Sequence, residues 1–253
     1  MKHYLITQWN CDLYDLEWLK KRQKLFEHFT IPSVMSQTNK NFEWILVSDT
    51  RTPDEFKKIL NNYPATILYH DFENFEWENA PVEDMSDPIM KRSVQLEYIS
   101  SVISDFIGKQ GTDYIITSRC DNDDAIAVNH IDKIQVSADK YWNNKEFTDR
   151  FWVNIVRGFK WDRGMVYPKS TNKSPFISFV EPDNGDLLTT YQCCHTLAPK
   201  SKFEVVNIRE GHPTWMQVIH DDNLLNKVMR FKGGQSEDTI RDRFIYGNKR
   251  FKD

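Results

Sequence analysis

Three carboxylates fall within four residues at Asp121-Asn122-Asp123-Asp124, soon after the apolar, β-branched run Tyr114-Ile115-Ile116-Thr117. The run reads as a buried strand. Nothing local calls for acid at its end, because Asp is a poor strand former and like charges repel. Such a cluster suits a hard cation. Asp121 and Asp123 are two apart, so an extended backbone turns both side chains the same way. They can then offer two oxygen ligands to one divalent ion, with diphosphate oxygens and waters completing its shell. A second reading makes Asp123 or Asp124 the N-cap of a helix that runs from Ala125. A calcium hand fits poorly, because the loop position that needs Gly holds Ile126.

The elements before this cluster alternate. Tyr4 to Thr7 reads as a strand ending at Gln8-Trp9-Asn10, and residues 16–29 read as a helix. Trp18, Arg22, Leu25, Phe26 and Phe29 share one face of it, with the Arg22 stem lying along that face. Phe42 to Asp49 is a second strand that ends in an acid. Thr52, Pro53 and Glu55 signal the next helix start by cap, first-turn proline and capping box. A third strand covers 65–70, and 71–86 is an acidic, aromatic loop. Asp87-Pro88 opens a helix to Ile107, with an apolar stripe at Met90, Val94, Tyr98, Val102 and Phe106. Strand and helix in turn argue for a parallel sheet with right-handed crossovers. Ligands of such sheets lie beyond the carboxyl ends of the strands. Asn10, Asp49 and the acids at 121–124 all sit at such ends, which favours a site over a cap.

The second half has a different pattern. A helix is predicted over 125–137 and a strand over 151–156. A hairpin spans 160–167, turning at Asp162 to Gly164. Short strands follow at 176–180 and 188–192, separated by an Asn184-Gly185 turn. Mixed or antiparallel pairing is expected. Trp215 to Ile219 leads to His220, a last helix covers 223–232, and the charged tail 236–253 reads as helical or loose. The chain is read as one domain over 1–235, with a nucleotide-binding half (1–125) and an acceptor-binding half (126–235).

The totals limit the options. The 253 residues suit one large α/β domain. A net charge of −4 gives no global field for nucleic acid. Cys11, Cys120, Cys193 and Cys194 lack metal-site spacing and read as buried thiols in a reducing compartment. No apolar run reaches the roughly 20 residues that cross a bilayer, and the start lacks a signal-peptide pattern. A soluble cytoplasmic protein is expected.

Ser33 through Gln37-Thr38 to the strand Phe42–Asp49 resembles the opening of inverting GT-A glycosyltransferases of the family 2 type. There a helix ending in Ser-x-x-x-Gln-Thr precedes a strand ending in Asp. Asp121-Asn122-Asp123 resembles their Asp-x-Asp motif. Arg119 before the acids, and Trp215-Met216-Gln217-Val218-Ile219-His220 followed by Asn223, are similar to the putative rhamnosyltransferase family. The resemblance implies a GT-A fold: a central, mostly parallel sheet flanked by helices, with a smaller mixed second half. It implies a nucleotide-diphosphate sugar donor, a glycan or other hydroxyl acceptor, and manganese or magnesium.

Carried over by position, Asp49 contacts the base or ribose, and Asp121 faces the ribose or a metal-bound water. Asp123 ligates the metal, and His220 is a late metal or phosphate ligand. Asn10, Arg92 and Arg119 lie near the nucleotide sugar. The family's usual acidic pair for the general base is not evident here. Glu181, which ends an apolar strand, is the first candidate, with Glu210, Asp221, Asp222 and His195 behind it. Trp161, Tyr167 and Trp215 are candidates to stack on acceptor sugars. A nucleotidyltransferase is the alternative enzyme, but it needs a Gly-rich phosphate loop, and no Gly precedes Gly108. A non-catalytic glycan-binding protein using its eight Trp is the alternative outside enzymology.

Overall fold

Apolar runs become the central strands of one sheet, buried on both faces as parallel strands require. The computed structural model describes residues 1–11, 13–72, 88–144, 150–220 and 233–247, and the side chains of these except at 88–93. Strands β1 (Lys2–Asn10), β2 (Glu43–Asp49), β3 (Thr66–His70) and β4 (Tyr114–Arg119) run parallel. Between them lie α1 (Leu16–Leu25), α2 (Ile31–Met35), α3 (Asp54–Leu60) and α4 (Pro88–Ile107). The second half adds β5 (Ala125–Ile126), α5 (His130–Asn144), β6 (Phe151–Ile155), β7 (Arg157–Asp162), β8 (Met165–Ser170) and β9 (Ser178–Pro182). It ends with β10 (Glu204–Ile208), β11 (Trp215–Val218) and β12 (Gln235–Ser236).

The large sheet has the order β3-β2-β1-β4-β9-β6-β10, and β9 runs against both of its neighbours. Leu5, Leu46 and Ile116 face one core layer with Trp9, Phe26 and Trp44. The alternate residues Tyr4, Ile6, Ile45 and Ile115 face the other, under Leu96, Ile99 and Ile103 of α4. The smaller sheet has the order β12-β8-β7-β11-β5. The two halves expected from the sequence therefore share one sheet, because β9, β6 and β10 complete what β1 to β4 begin.

Several expectations are corrected. The buried face of α4 is Leu96, Ile99, Ile103 and Ile107 with Val94 and Val102 of the expected stripe, while Phe106 is exposed. Steps of four residues advance about 400°, so the expected stripe drifts around the helix by about 40° per step. Ala125-Ile126 is not a helix start but a short strand paired with Met216 and Trp215. Residues 188–192 form a loop rather than a strand. Thr52 does not cap α3, whose N-cap is Pro53. It donates instead to Asn10 Oδ1 at 2.9 Å. The tail is docked as far as residue 247. Ile240, Phe244 and Tyr246 pack with Leu25, Phe29 and Trp161. The helix expected at 223–232 and the loop at 73–86 lie outside the described residues.

Arg163 and Gly164 turn the β7–β8 hairpin with φ of 48° and 83°, the pair of positive values that a two-residue hairpin favours. Gly158 in β7 is a close-approach glycine. A Cβ there falls 2.0 Å from the Trp215 ring. That ring stacks on Phe176 at 5.4 Å and donates through Nε1 to Ile155 O at 2.7 Å, so it has nowhere to move. Gly158→Ala is expected to cost about 3 kcal/mol, the upper end of overpacking effects, read as a lower midpoint in urea.

Candidate active site

Beyond β4 the chain turns rather than staying extended: Asp124 N donates to Asp121 O at 3.3 Å. The shared orientation expected for Asp121 and Asp123 fails for that reason. The loop's backbone is held by the helical run before β2. Thr30 Oγ1 donates to Asp124 O at 2.8 Å, and Ser33 Oγ accepts from Ile126 N at 3.2 Å. Gln37 Nε2 donates to Ala127 O at 2.8 Å, while its Oε1 accepts from Ile131 N at 3.1 Å. Ser33 and Gln37 of the Ser-x-x-x-Gln-Thr stretch are thus loop clamps. A π turn at Phe26–Thr30 sits between α1 and α2. It slips the helix by a residue, so Arg22 before it and Thr30 after it address one loop.

Each acid has its own partner. Arg119 forks onto Asp121, Nε to Oδ1 at 2.8 Å and Nη2 to Oδ2 at 3.2 Å, and lies 5.3 Å over the Tyr191 ring. Asp121 is 30% exposed, the openest of the three. Asp123 is 8% exposed and its Oδ2 accepts from both Arg22 Nη1 and His220 Nε2, the latter at 2.8 Å. Burial pushes the Asp123 carboxyl upward, but the Arg22 charge and the His220 contact outweigh it and hold it below the usual range. Asp124 accepts from Val218 N at 2.8 Å through Oδ1. Burial, then Asp123 and Asp121, raise its pKa well above the usual carboxylate value. Neither Asp123 nor Asp124 caps a helix. Asn122 ties the tip to β1, donating to Trp9 O at 2.6 Å, and accepts from Arg22 at 3.2 Å.

The neighbouring strand ends converge here. Asn10 braces β1 against β2: its Oδ1 accepts from Ser48 Oγ at 2.9 Å, and its Nδ2 donates to Leu13 O at 2.9 Å. Asp49 is buried and accepts from Arg51 N, Arg51 Nε and Tyr14 OH at 2.8, 3.1 and 2.7 Å. The Arg51 guanidinium lies 4.3 Å over the Tyr14 ring. His220 follows β11 and is brought to Asp123. His195 shares charge interactions with Arg119 and Asp121. Its Nδ1–H donates to Lys173 O at 2.9 Å, which leaves the lone pair on Nε2. Burial first, then Arg119, lower its pKa to about 4.

Other candidates are set apart. Glu181 lies opposite Ile115, at the far end of β4 from Asp121. At 3.3 Å per residue, the strand from Ile115 to Arg119 alone puts about 13 Å between them. Its Oε2 accepts from Leu188 N at 2.8 Å and its Oε1 from Thr189 N at 3.0 Å, with Arg150 Nε at 3.6 Å. Glu181 pins the 187–192 loop and stands apart from the acids at 121–124. Trp161 and Trp215 are core residues, 4% and 1% exposed. Tyr167 is half-buried and Glu210 is exposed. The Arg92 side chain, Asp221, Asp222 and Asn223 lie outside the described residues.

Arg22, Thr30, Tyr14 and Arg51 were missed as site residues. Arg22 did carry a signal, a cation on the apolar face of a helix. Tyr14 carried none.

The donor set bears on a cation. Among the described residues no three His, Cys, Asp or Glu side chains form a metal-holding group. Asp123 Oδ2 and His220 Nε2, 2.8 Å apart, have the spacing of adjacent ligands in a coordination shell. An imidazole and a carboxylate fit manganese or magnesium if diphosphate and water supply the rest. Asp121 is turned toward Arg119 instead.

The large sheet is mostly parallel with one reversed strand and carries its acids at the carboxyl ends of its strands, and a smaller mixed sheet accompanies it. The chain belongs to the family described as putative rhamnosyl transferase, whose model matches residues 2–231. No curated protein matches it. Solved structures similar to it include TarS 1–349 of S. aureus, with 12% identity over 86% of this chain and 60% of that one, at a TM-score of 0.39. A putative nucleotide-diphospho-sugar transferase from Desulfovibrio desulfuricans G20 has 10% identity over 87% and 83%, at 0.38. The inositol-1-phosphate CTP transferase from T. maritima has 10% identity over 86% and 89%, at 0.38. These likenesses are loose, and the chain spans 60% of the length of the first. No helix among the described residues is long and apolar enough to cross a membrane.

Proposed function

We propose that this protein moves a sugar, rhamnose by its family's description, from a nucleoside-diphosphate donor to an acceptor hydroxyl with inversion. The observation that carries this reading is the placing of Asp49, Asp121, Asp123 and His220 at the ends of β2, β4 and β11, with a guanidinium group on each of the three acids. Asp123 and His220 would hold manganese or magnesium. When bound, the cation offsets the charge that grows on the departing diphosphate. The Asp49–Arg51–Tyr14 unit presents a flat cation–aromatic surface for the base and ribose. Asp121, held by Arg119, faces the donor ribose or a metal-bound water.

His195 replaces Glu181 as our candidate base. With Nδ1–H on Lys173 O, its Nε2 is left to take the acceptor proton as the glycosidic carbon is attacked. Arg119 is one cause of its weak basicity. A diphosphate drawn onto Arg119 relieves that effect as the donor binds.

The test is thermal stability against uridine, thymidine and guanosine diphosphates, with and without manganese. A transferase of this kind is stabilised by one of them only when manganese is present, by about 3 kcal/mol at a hundredfold excess over Kd. Preference for a triphosphate supports a nucleotidyltransferase instead. Indifference to every nucleotide overturns both enzyme readings.

A further inference from the structure

Arg22 is 11% exposed, and a buried guanidinium requires a counter-charge. It finds one on Asp123, with Asn122 Oδ1 at 3.2 Å and the Trp18 ring at 5.1 Å completing its surroundings. The Asp123 oxygen it holds is the one that His220 also holds. A cation bound between Asp123 and His220 would compete with the guanidinium for that oxygen. Arg119 with Asp121 and Arg22 with Asp123 also leave this edge of the site nearly neutral before any ligand arrives. Little potential therefore remains to draw in a bare divalent ion.

We propose that Arg22 is a resident counter-charge: the incoming metal displaces it from Asp123, and the donor diphosphate then captures it. This rests on the transferase reading above. Three features support the exchange. Arg22 already spans Asn122 and Asp123, so a diphosphate bound at that acid arrives within its reach. A guanidinium fork matches phosphate oxygens better than it matches one carboxylate oxygen shared with a histidine. Its other named partner, the Trp18 ring, is indifferent to a small swing of the cation. The exchange makes metal and diphosphate enter as a unit, so neither binds well alone.

The experiment measures manganese uptake by the loss of the free-ion paramagnetic resonance signal, with and without uridine, thymidine or guanosine diphosphate. Wild-type protein takes up manganese weakly alone and at least about tenfold more tightly with the matching nucleotide. Arg22→Gln should bind manganese alone about tenfold more tightly than wild type, because the competitor is gone. At saturating manganese it should bind the nucleotide about tenfold more weakly. Arg22→Lys keeps the charge and should resemble wild type toward manganese alone. Equal or weaker manganese binding by folded Arg22→Gln overturns the exchange while leaving the transferase reading standing. Wild-type protein that takes up no manganese even with every nucleotide overturns both.

Discussion

Asp123→Ala should lose at least about a thousandfold in sugar transfer, the loss expected when charge stabilisation at a leaving group disappears. It should also weaken the fold, because Arg22 is left buried without its counter-charge. Breaking a buried ion pair from one side costs about 3–5 kcal/mol. The two effects separate in a double variant. Arg22→Met with Asp123→Leu removes both charges and should recover most of the stability, since apolar replacement of a buried pair is often neutral. It should recover none of the transfer. Initial rates and urea midpoints on the three proteins decide the matter. Transfer within tenfold of wild type in folded Asp123→Ala would remove this acid from the chemistry.

Glu181→Ala should do the reverse, with a large loss of stability and no loss of rate per folded molecule. The substitution leaves the Leu188 and Thr189 amides without their acceptor and removes a charge 3.6 Å from Arg150 Nε. A cost of about 3 kcal/mol follows from two amide donors left without an acceptor. Glu181→Gln, which keeps an accepting oxygen, is the milder companion and carries a pH signature. Burial raises the Glu181 pKa from 4.5 to about 7. The folded state therefore holds its proton more tightly than the unfolded chain, and this contribution to stability is lost as pH rises from 4.5 through 7. Glutamine cannot titrate. The stability gap between wild type and Glu181→Gln should narrow across that window, by about 1.4 kcal/mol per pH unit at most. A constant gap together with a collapsed rate would restore Glu181 as the base.

Much of the scaffold was legible because it is written locally. Tyr114 to Thr117 and Phe42 to Asp49 could only be buried strands, and alternation with helices placed their ends on one edge. The acids at 121–124 followed from that edge, whereas His220 came only from the family resemblance. What failed was decided by distant contacts. Thr30, Ser33 and Gln37 bend the acid loop into a turn, so the two-residue alternation between Asp121 and Asp123 never applied. Arg22 meets Asp123 across 101 positions, a pairing no window can show. Glu181 did end an apolar strand and was desolvated, as read. Only the sheet pairing revealed that it stands at the wrong end of β4. The charged tail looked loose because its three anchors, Ile240, Phe244 and Tyr246, are spread among polar residues, and their partners lie in α1 and β7.

The reversed strand β9 has a bearing on how the molecule is made. During synthesis β1 to β4 emerge first and can pair among themselves, but the open side of β4 waits for residues 178–182. Until they arrive, Ile115 and Ile116 belong to an unpaired edge that invites neighbouring chains. A ribosome stalled in that interval, or a gene cut there to express the nucleotide-binding half alone, leaves a fragment with β1 to β4 in place and nothing to shield the last of them.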